Sequence, residues 1–83
     1  MKDLALGGYS QFAEFWEDVQ RQDTNLEDVD VFVTLSIEEW EQLSAQEWYA
    51  DIKKRLYGEA AEVIPYYADG KPYQVEVILR FAR

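Results

Sequence analysis

The chain has 83 residues, a length typical of one small domain. It carries 17 acidic and 8 basic side chains, a formal net charge of −9, and contains neither cysteine nor histidine. The missing residue types exclude disulfides, thiolate metal sites and the commonest general base. Since 48% of the residues are hydrophobic, the chain should fold. We expect one domain over residues 1–83, with 1–9 as a flexible lead.

The first predicted element is a helix for which Ser10 is the expected N-cap. Apolar side chains recur there at the helical spacing i, i+3, i+4, i+7, namely Phe12, Phe15, Trp16 and Val19. The turn-forming residues 23–25 end this helix. Residues 29–35 then alternate aliphatic side chains with Asp30, Phe32 and Thr34, a pattern that predicts a strand.

Two helix-start signals follow the strand. Ser36 and Glu39 have the spacing of a capping box, and Ser44 and Glu47 repeat it eight residues later. One helix over 37–57 fits the pattern less well than a break between 37–43 and 45–57, because a second complete start signal has no use inside a continuous helix. Gly58 is placed to end the second helix.

The last quarter of the sequence predicts a β-hairpin. The Asp69-Gly70 pair indicates a tight turn between strand 61–67 and strand 73–81. A turn centred there would pair Tyr66 with Tyr73 and Ile64 with Val75.

The strand order follows from Pro65 and from the apolar run of the last strand. Proline has no N–H for the ladder, so strand 61–67 should lie at an edge, with the last strand in the centre. A right-handed helical crossover joins the two outer strands. The expected fold is α+β in the order α-β-α-α-β-β, a three-stranded antiparallel sheet with helices packed on one face.

Catalytic and metal-binding motifs are incomplete in this sequence. A serine nucleophile would need a lysine base, and the serines are better explained as helix caps. Asp23, Asn25 and Glu27 have the spacing of the first calcium-loop ligands, but Asp28 stands where the loop requires glycine and Thr34 where it requires glutamate. We expect no enzyme activity, no metal and no cofactor.

The negative charge is confined to one part of the chain. Residues 1–51 hold 13 acids and 2 bases (−11), whereas residues 52–83 hold 4 acids and 6 bases (+2). This asymmetry leaves two interpretations, a solvated surface and an acidic face that binds a basic partner. The candidate partner-binding acids are Glu14, Glu17, Asp18, Glu27, Asp28 and Asp30, with Glu41 and Asp51 as extensions.

Two aromatic residues are further candidates for partner binding. Tyr49, Ile52 and Leu56 already form a helical stripe without Trp48, which leaves Trp48 as a partly exposed anchor or a core residue. Tyr67 lies near the hairpin turn and is open to the same two interpretations.

In size and charge the chain resembles small acidic inhibitors such as phage anti-restriction and anti-CRISPR proteins, a resemblance of composition alone. It implies a nucleic-acid mimic that binds a basic nucleic-acid-handling protein and does not itself bind nucleic acid or membranes. The alternatives are an immunity protein or antitoxin, and an adaptor that pairs through an aromatic patch or a sheet edge. With no secretory or membrane segment in the sequence, we expect a cytoplasmic monomer or a weak dimer paired through the edge of strand 29–35.

Overall fold

The computed structural model describes residues 2–22, 26 and 29–81. It has an α+β fold with three helices and a four-stranded mixed sheet. The elements in chain order are β1 (Lys2–Leu6), α1 (Tyr9–Gln22), β2 (Val29–Ser36), α2 (Ile37–Ser44), α3 (Glu47–Lys54), a 3₁₀ turn (Tyr57–Glu59), β3 (Glu62–Ala68) and β4 (Lys71–Arg80).

The sheet contains one strand more than the sequence indicated. Its order is β1-β2-β4-β3, and β1 pairs in parallel with β2, so the expected three-stranded antiparallel sheet is wrong. The new strand lies within 1–9, the expected flexible lead. It also covers the edge of β2 through which we expected a dimer to pair. The relative order of the other three strands, with β4 in the centre and β3 at the edge, is as predicted.

The helix break near residue 45 is confirmed, but two of the three expected N-caps are wrong, and α3 ends at Lys54, before the expected Gly58. Ser10 lies inside α1, which begins at Tyr9. The N-cap of α3 is Gln46, without a side-chain hydrogen bond, while the Ser44 hydroxyl donates to the Glu41 carbonyl. Ser44 is the last residue of α2. The last carbonyl groups of a helix lack partners within it, and the Ser44 hydroxyl reaches one of them.

The capping box at the start of α2 is present and extends to a second helix. Glu39 accepts hydrogen bonds from the backbone N–H of Ser36 on Oε1 and from that of Tyr9 on Oε2, each at 2.9 Å. The Ser36 hydroxyl accepts from the Glu39 N–H in return. One carboxylate therefore satisfies backbone donors at the N-termini of α1 and α2. Gly8 adjoins it with φ +138°, a backbone conformation that side chains other than glycine rarely adopt.

The hairpin register changes at a β-bulge. Asp69 and Gly70 both have positive φ and form the predicted turn, and Tyr67 pairs with Pro72 beside it. Beyond that point Tyr66 pairs with Gln74, which leaves Tyr73 as an extra residue in β4. The expected pairs Tyr66–Tyr73 and Ile64–Val75 are therefore wrong.

The core lies between the helices and one face of the sheet. From the strands it takes side chains that alternate along β2 and β4, which are Val31, Val33, Leu35, Val75, Val77, Leu79 and, just after β4, Phe81. The helices add Phe12, Trp16, Val19, Leu43, Tyr49 and Ile52. Each fully buried large side chain of this kind contributes about 1.5–3 kcal/mol. We call the opposite face of the sheet, which includes Phe32 and Ile78, the outer face.

Replacing Glu39 with glutamine should test the double cap. The variant keeps the size of the side chain but has one acceptor oxygen for two N–H groups. We expect the free energy of unfolding at pH 7, measured by urea titration, to fall by about 2 kcal/mol. Glu38→Gln is the matched control, because Glu38 is exposed in the same helical turn.

The same variant should change the response to acid. Hydrogen bonds from the backbone of Ser36 and of Tyr9 lower the pKa of Glu39 below its ordinary value of 4.5. Its stabilisation is therefore complete above that value and is lost as the pH falls through the lower folded-state pKa. Glu39→Gln should lack this acid-dependent loss. Equal pH dependence in parent and variant would contradict the role of the carboxylate.

Candidate functional site

The acidic residues predicted on α1 are exposed. Glu14, Glu17 and Asp18 all lie on the surface, around a shallow recess of about 310 Å³ that Arg21 also lines. Arg21 contacts Asp18 directly and lies 3.9 Å from Glu17, measured between Nη1 and Oε1. The helix thus presents three carboxylates and one guanidinium, a net charge of −2, which we call the α1 acidic face.

The remaining predicted acids do not join this face as a group. Asp30 is half-buried on the outer face of the sheet, the side away from the helices, where its carboxylate lies 3.9 Å from Arg80. Glu27 and Asp28 lie outside the described residues. Glu41 on α2 and Asp51 on α3 are both exposed. Asp30 therefore lies on the opposite side of the sheet from the acids of α1, so the single surface expected from the sequence is divided.

Trp48 is half-buried and packs against α1. Its ring lies 6.3 Å from that of Tyr9 and 6.1 Å from that of Phe12, between ring centres. It also lines a shallow groove of about 340 Å³ with Tyr9, Ala13, Trp16, Glu17 and Gln20. Trp48 thus contributes both to the packing of α3 on α1 and to the surface. The helical spacing alone did not show which of these roles it has.

Trp16 lies beneath the same groove and is almost completely buried. Its ring stacks on Phe81 at 6.4 Å, and the Arg55 guanidinium lies 5.2 Å from the ring centre. A cation at this distance from an indole ring is attracted to it. The contact holds the end of the α3 region against α1. Residue spacing did not indicate this contact, because Arg55 and Trp16 are far apart in the chain.

Tyr49 is a structural residue of the core. Its ring meets that of Trp40 edge-on at 5.7 Å, and Lys53 Nζ lies 5.4 Å from its ring centre. Burial disfavours the charged phenolate and raises the pKa of Tyr49 to about 12.

The exposed aromatic side chains gather in one segment. Tyr67 is 63% exposed, Tyr73 52% and Tyr66 38%, and Tyr57 in the preceding 3₁₀ turn is 79% exposed. With Val63, they are the large hydrophobic residues most exposed in the part of the chain that the structure describes. We call Tyr66, Tyr67 and Tyr73 the hairpin tyrosines. The sequence singled out Tyr67, and Tyr57 was missed because nothing in its spacing marks it.

Within residues 2–22, 26 and 29–81, no group of three or more carboxylates is placed to hold a metal ion. None of the helices described is long and apolar enough to cross a bilayer. No family model, curated protein or solved structure matches the chain. The function of the protein therefore has to be inferred from its surfaces.

The titration of Tyr49 should show its burial. Its folded-state pKa of about 12 exceeds the ordinary value of 10, so its contribution to stability is present below pH 10 and is lost as the pH rises through 12. Phenolate absorbance should contain a late step that Tyr49→Phe removes. Tyr67→Phe, a change at an exposed position, should keep that step. A late step that survives in Tyr49→Phe would show that another tyrosine is responsible.

Proposed function

We propose that the protein is a small, non-enzymatic binding protein that inhibits a basic, nucleic-acid-handling protein in the cytoplasm. The observation that carries this proposal is the α1 acidic face on a chain of net charge −9. The proposed inhibitor is of the anti-restriction or anti-CRISPR type. The partner supplies a positively charged groove, and no direct contact with nucleic acid or membrane is needed.

The arrangement of charge on α1 supports mimicry of a phosphate strand. A DNA strand carries one negative charge about every 3.4 Å along the axis, and consecutive helical turns are about 5.4 Å apart. Glu14 lies one turn before Glu17 and Asp18, so the three carboxylates follow the helix axis. Since all three are exposed, they keep most of their hydration until a partner approaches.

The ion pairs of Arg21 affect binding more than folding. Exposed pairs of this kind contribute only about 0–1 kcal/mol to stability. In a basic groove the guanidinium would oppose binding, whereas in free solution it fixes the two carboxylates close together. Arg21→Gln should therefore strengthen binding to a basic partner, because it removes the cation and leaves the three acids.

The second candidate function is an adaptor that binds through the hairpin tyrosines. Their exposure is the specific observation in its favour, since tyrosine is enriched where proteins bind one another. An immunity protein or antitoxin would use the α1 acidic face against a toxin instead, so toxins belong among the partners tested. The aromatic route differs from the electrostatic one in its weak response to salt.

Charge reversal on α1 should separate these functions. The double variant Glu17→Lys with Asp18→Lys is compared with Glu38→Lys plus Glu47→Lys, which changes the net charge equally, from −9 to −5. Binding is measured against immobilised nucleic-acid-binding enzymes and nuclease toxins in a salt series. We expect the α1 variant to lower the association rate about tenfold and the control to change it much less. Duplex DNA should compete with the parent protein for its partner.

The same variants should fold like the parent. Because Glu17 and Asp18 are exposed, the stability of the α1 variant should stay within about 1 kcal/mol of the parent in thermal melts. The control should lose somewhat more stability, because Glu38 and Glu47 lie in the first turns of α2 and α3, where the helix dipole favours acids. If the α1 variant binds as the parent does while Tyr67→Ala abolishes binding, the inhibitor proposal is wrong and the adaptor function replaces it.

A further inference from the structure

The outer face of the sheet carries an apolar band that the helices do not cover. In one row, Ala5, Phe32 and Ile78 are neighbours across β1, β2 and β4. Ile78 is only 7% exposed but is not part of the core cluster on the other face. The band continues diagonally through Ile64 to Tyr66 on β3. Phe32 and Ile64 are half-buried, so part of each side chain still meets solvent.

The bulge in β4 is what brings Ile64 to this face. The register expected from the turn would have paired Ile64 with Val75, whose side chain is in the core. A shift of one residue reverses the face of every side chain beyond it, and Ile64 instead pairs with Glu76. Because Tyr73 is an extra residue in β4, the aliphatic side chain of Ile64 lies on the outer face and not in the core.

Carboxylates flank the band on both sides. Asp3 and Asp30 are neighbours in the row on one side, and Glu76 lies in the row on the other side. Glu62 ends the apolar row at the sheet edge, where its Oε2 accepts a hydrogen bond from Arg80 at 2.9 Å. Four carboxylates and one guanidinium give these rows a net charge of −3.

From this pattern we propose that the outer face binds a basic amphipathic helix of a partner protein. Apolar side chains of such a helix lie along the band, and its lysine and arginine side chains reach the carboxylates on either side. A second copy of this chain is disfavoured, because it would place the same four acids against one another. The surface is separate from the α1 acidic face, so this proposal does not depend on the inhibitor function.

The dimensions of the sheet suit a short helix. Four strands at a spacing of about 4.8 Å span about 14 Å from β1 to β3. A helix advances about 5.4 Å per turn, so about three turns cross the band. Side chains at i, i+3, i+4 and i+7, continued into a third turn at i+11, then supply one apolar stripe of matching length.

The experiment uses a synthetic helical peptide of 14 residues, about 21 Å long, with leucines on one face and lysines on the other. Its controls are a scrambled peptide of the same composition and a peptide with glutamate in place of lysine. Affinity is measured by calorimetry, and amide chemical shifts locate the contact. The full-length chain should bind the amphipathic peptide about tenfold more tightly than the scrambled one, with the largest shifts at Phe32, Ile64 and Ile78.

Matched variants distinguish this surface from general charge attraction. Glu76→Lys and Glu47→Lys change the net charge equally, but Glu76 lies on the outer face whereas Glu47 is exposed on α3, on the helix side of the sheet and outside the α1 acidic face. We expect Glu76→Lys and Ile64→Thr each to weaken binding about fivefold or more, and Glu47→Lys less than about twofold. Threonine retains the β-branched shape suited to a strand, and thermal melts check that each variant is folded.

Three outcomes would overturn the proposal. Equal weakening by Glu47→Lys and Glu76→Lys would indicate attraction by net charge alone, and shifts confined to α1 would assign the peptide to the α1 acidic face. Sedimentation that finds a dimer of the parent, dissociated by Ile64→Thr, would identify a second copy as the occupant. Failure of the charge-reversal test on α1 would leave the outer-face proposal intact, because the two use different variants.

Discussion

The carboxylate of Glu39 joins the start of α1 to the start of α2. It accepts one backbone N–H at the start of α2 and another at the start of α1, elements separated by 30 residues of sequence. The turn before α1 is thereby held against α2, and β1 runs directly into that turn. An amide or an aliphatic side chain offers fewer acceptor oxygens, so few substitutions could hold both helix starts in place. The position of β1 beside β2 is fixed by this contact together with the parallel ladder between the strands and the packing of Leu4 and Leu6 on the core.

Local patterns in the sequence predicted most of the elements, and long-range contacts determined the rest. The apolar spacing of Phe12 and Trp16, the Ser36 capping box and the Asp69-Gly70 turn each act within a few residues, so their signals were readable. β1 has five residues, and its only ladder partner among the described strands is β2, beyond α1. The bulge at Tyr73 likewise had no local signal, because the turn alone indicated a different register.

The prediction of a functional site from the acidic residues was limited in the same way, because only local properties could be predicted. Helical periodicity correctly separated Glu14, Glu17 and Asp18 from the buried stripe of α1, because exposure on a helix is a local property. It could not show that Arg21 pairs with two of them, since a side-chain contact depends on rotamers. Nor could it show on which face of the sheet Asp30 lies. That face depends on how β2 pairs with its neighbours and on which side the helices cover, neither of which is a local property.

The central position of β4 has a consequence for how the chain folds as it is made. β4 pairs with both β2 and β3 and is the last strand among the described residues. A nascent chain that ends before Lys71 has β1, β2 and all three helices, but β3 has no neighbour and half of the inner apolar face is absent. The conformational entropy of those elements is therefore offset only after β4 has left the ribosome. We therefore expect cooperative folding to wait for residues 71–81, with the apolar faces of the helices accessible to chaperones until then.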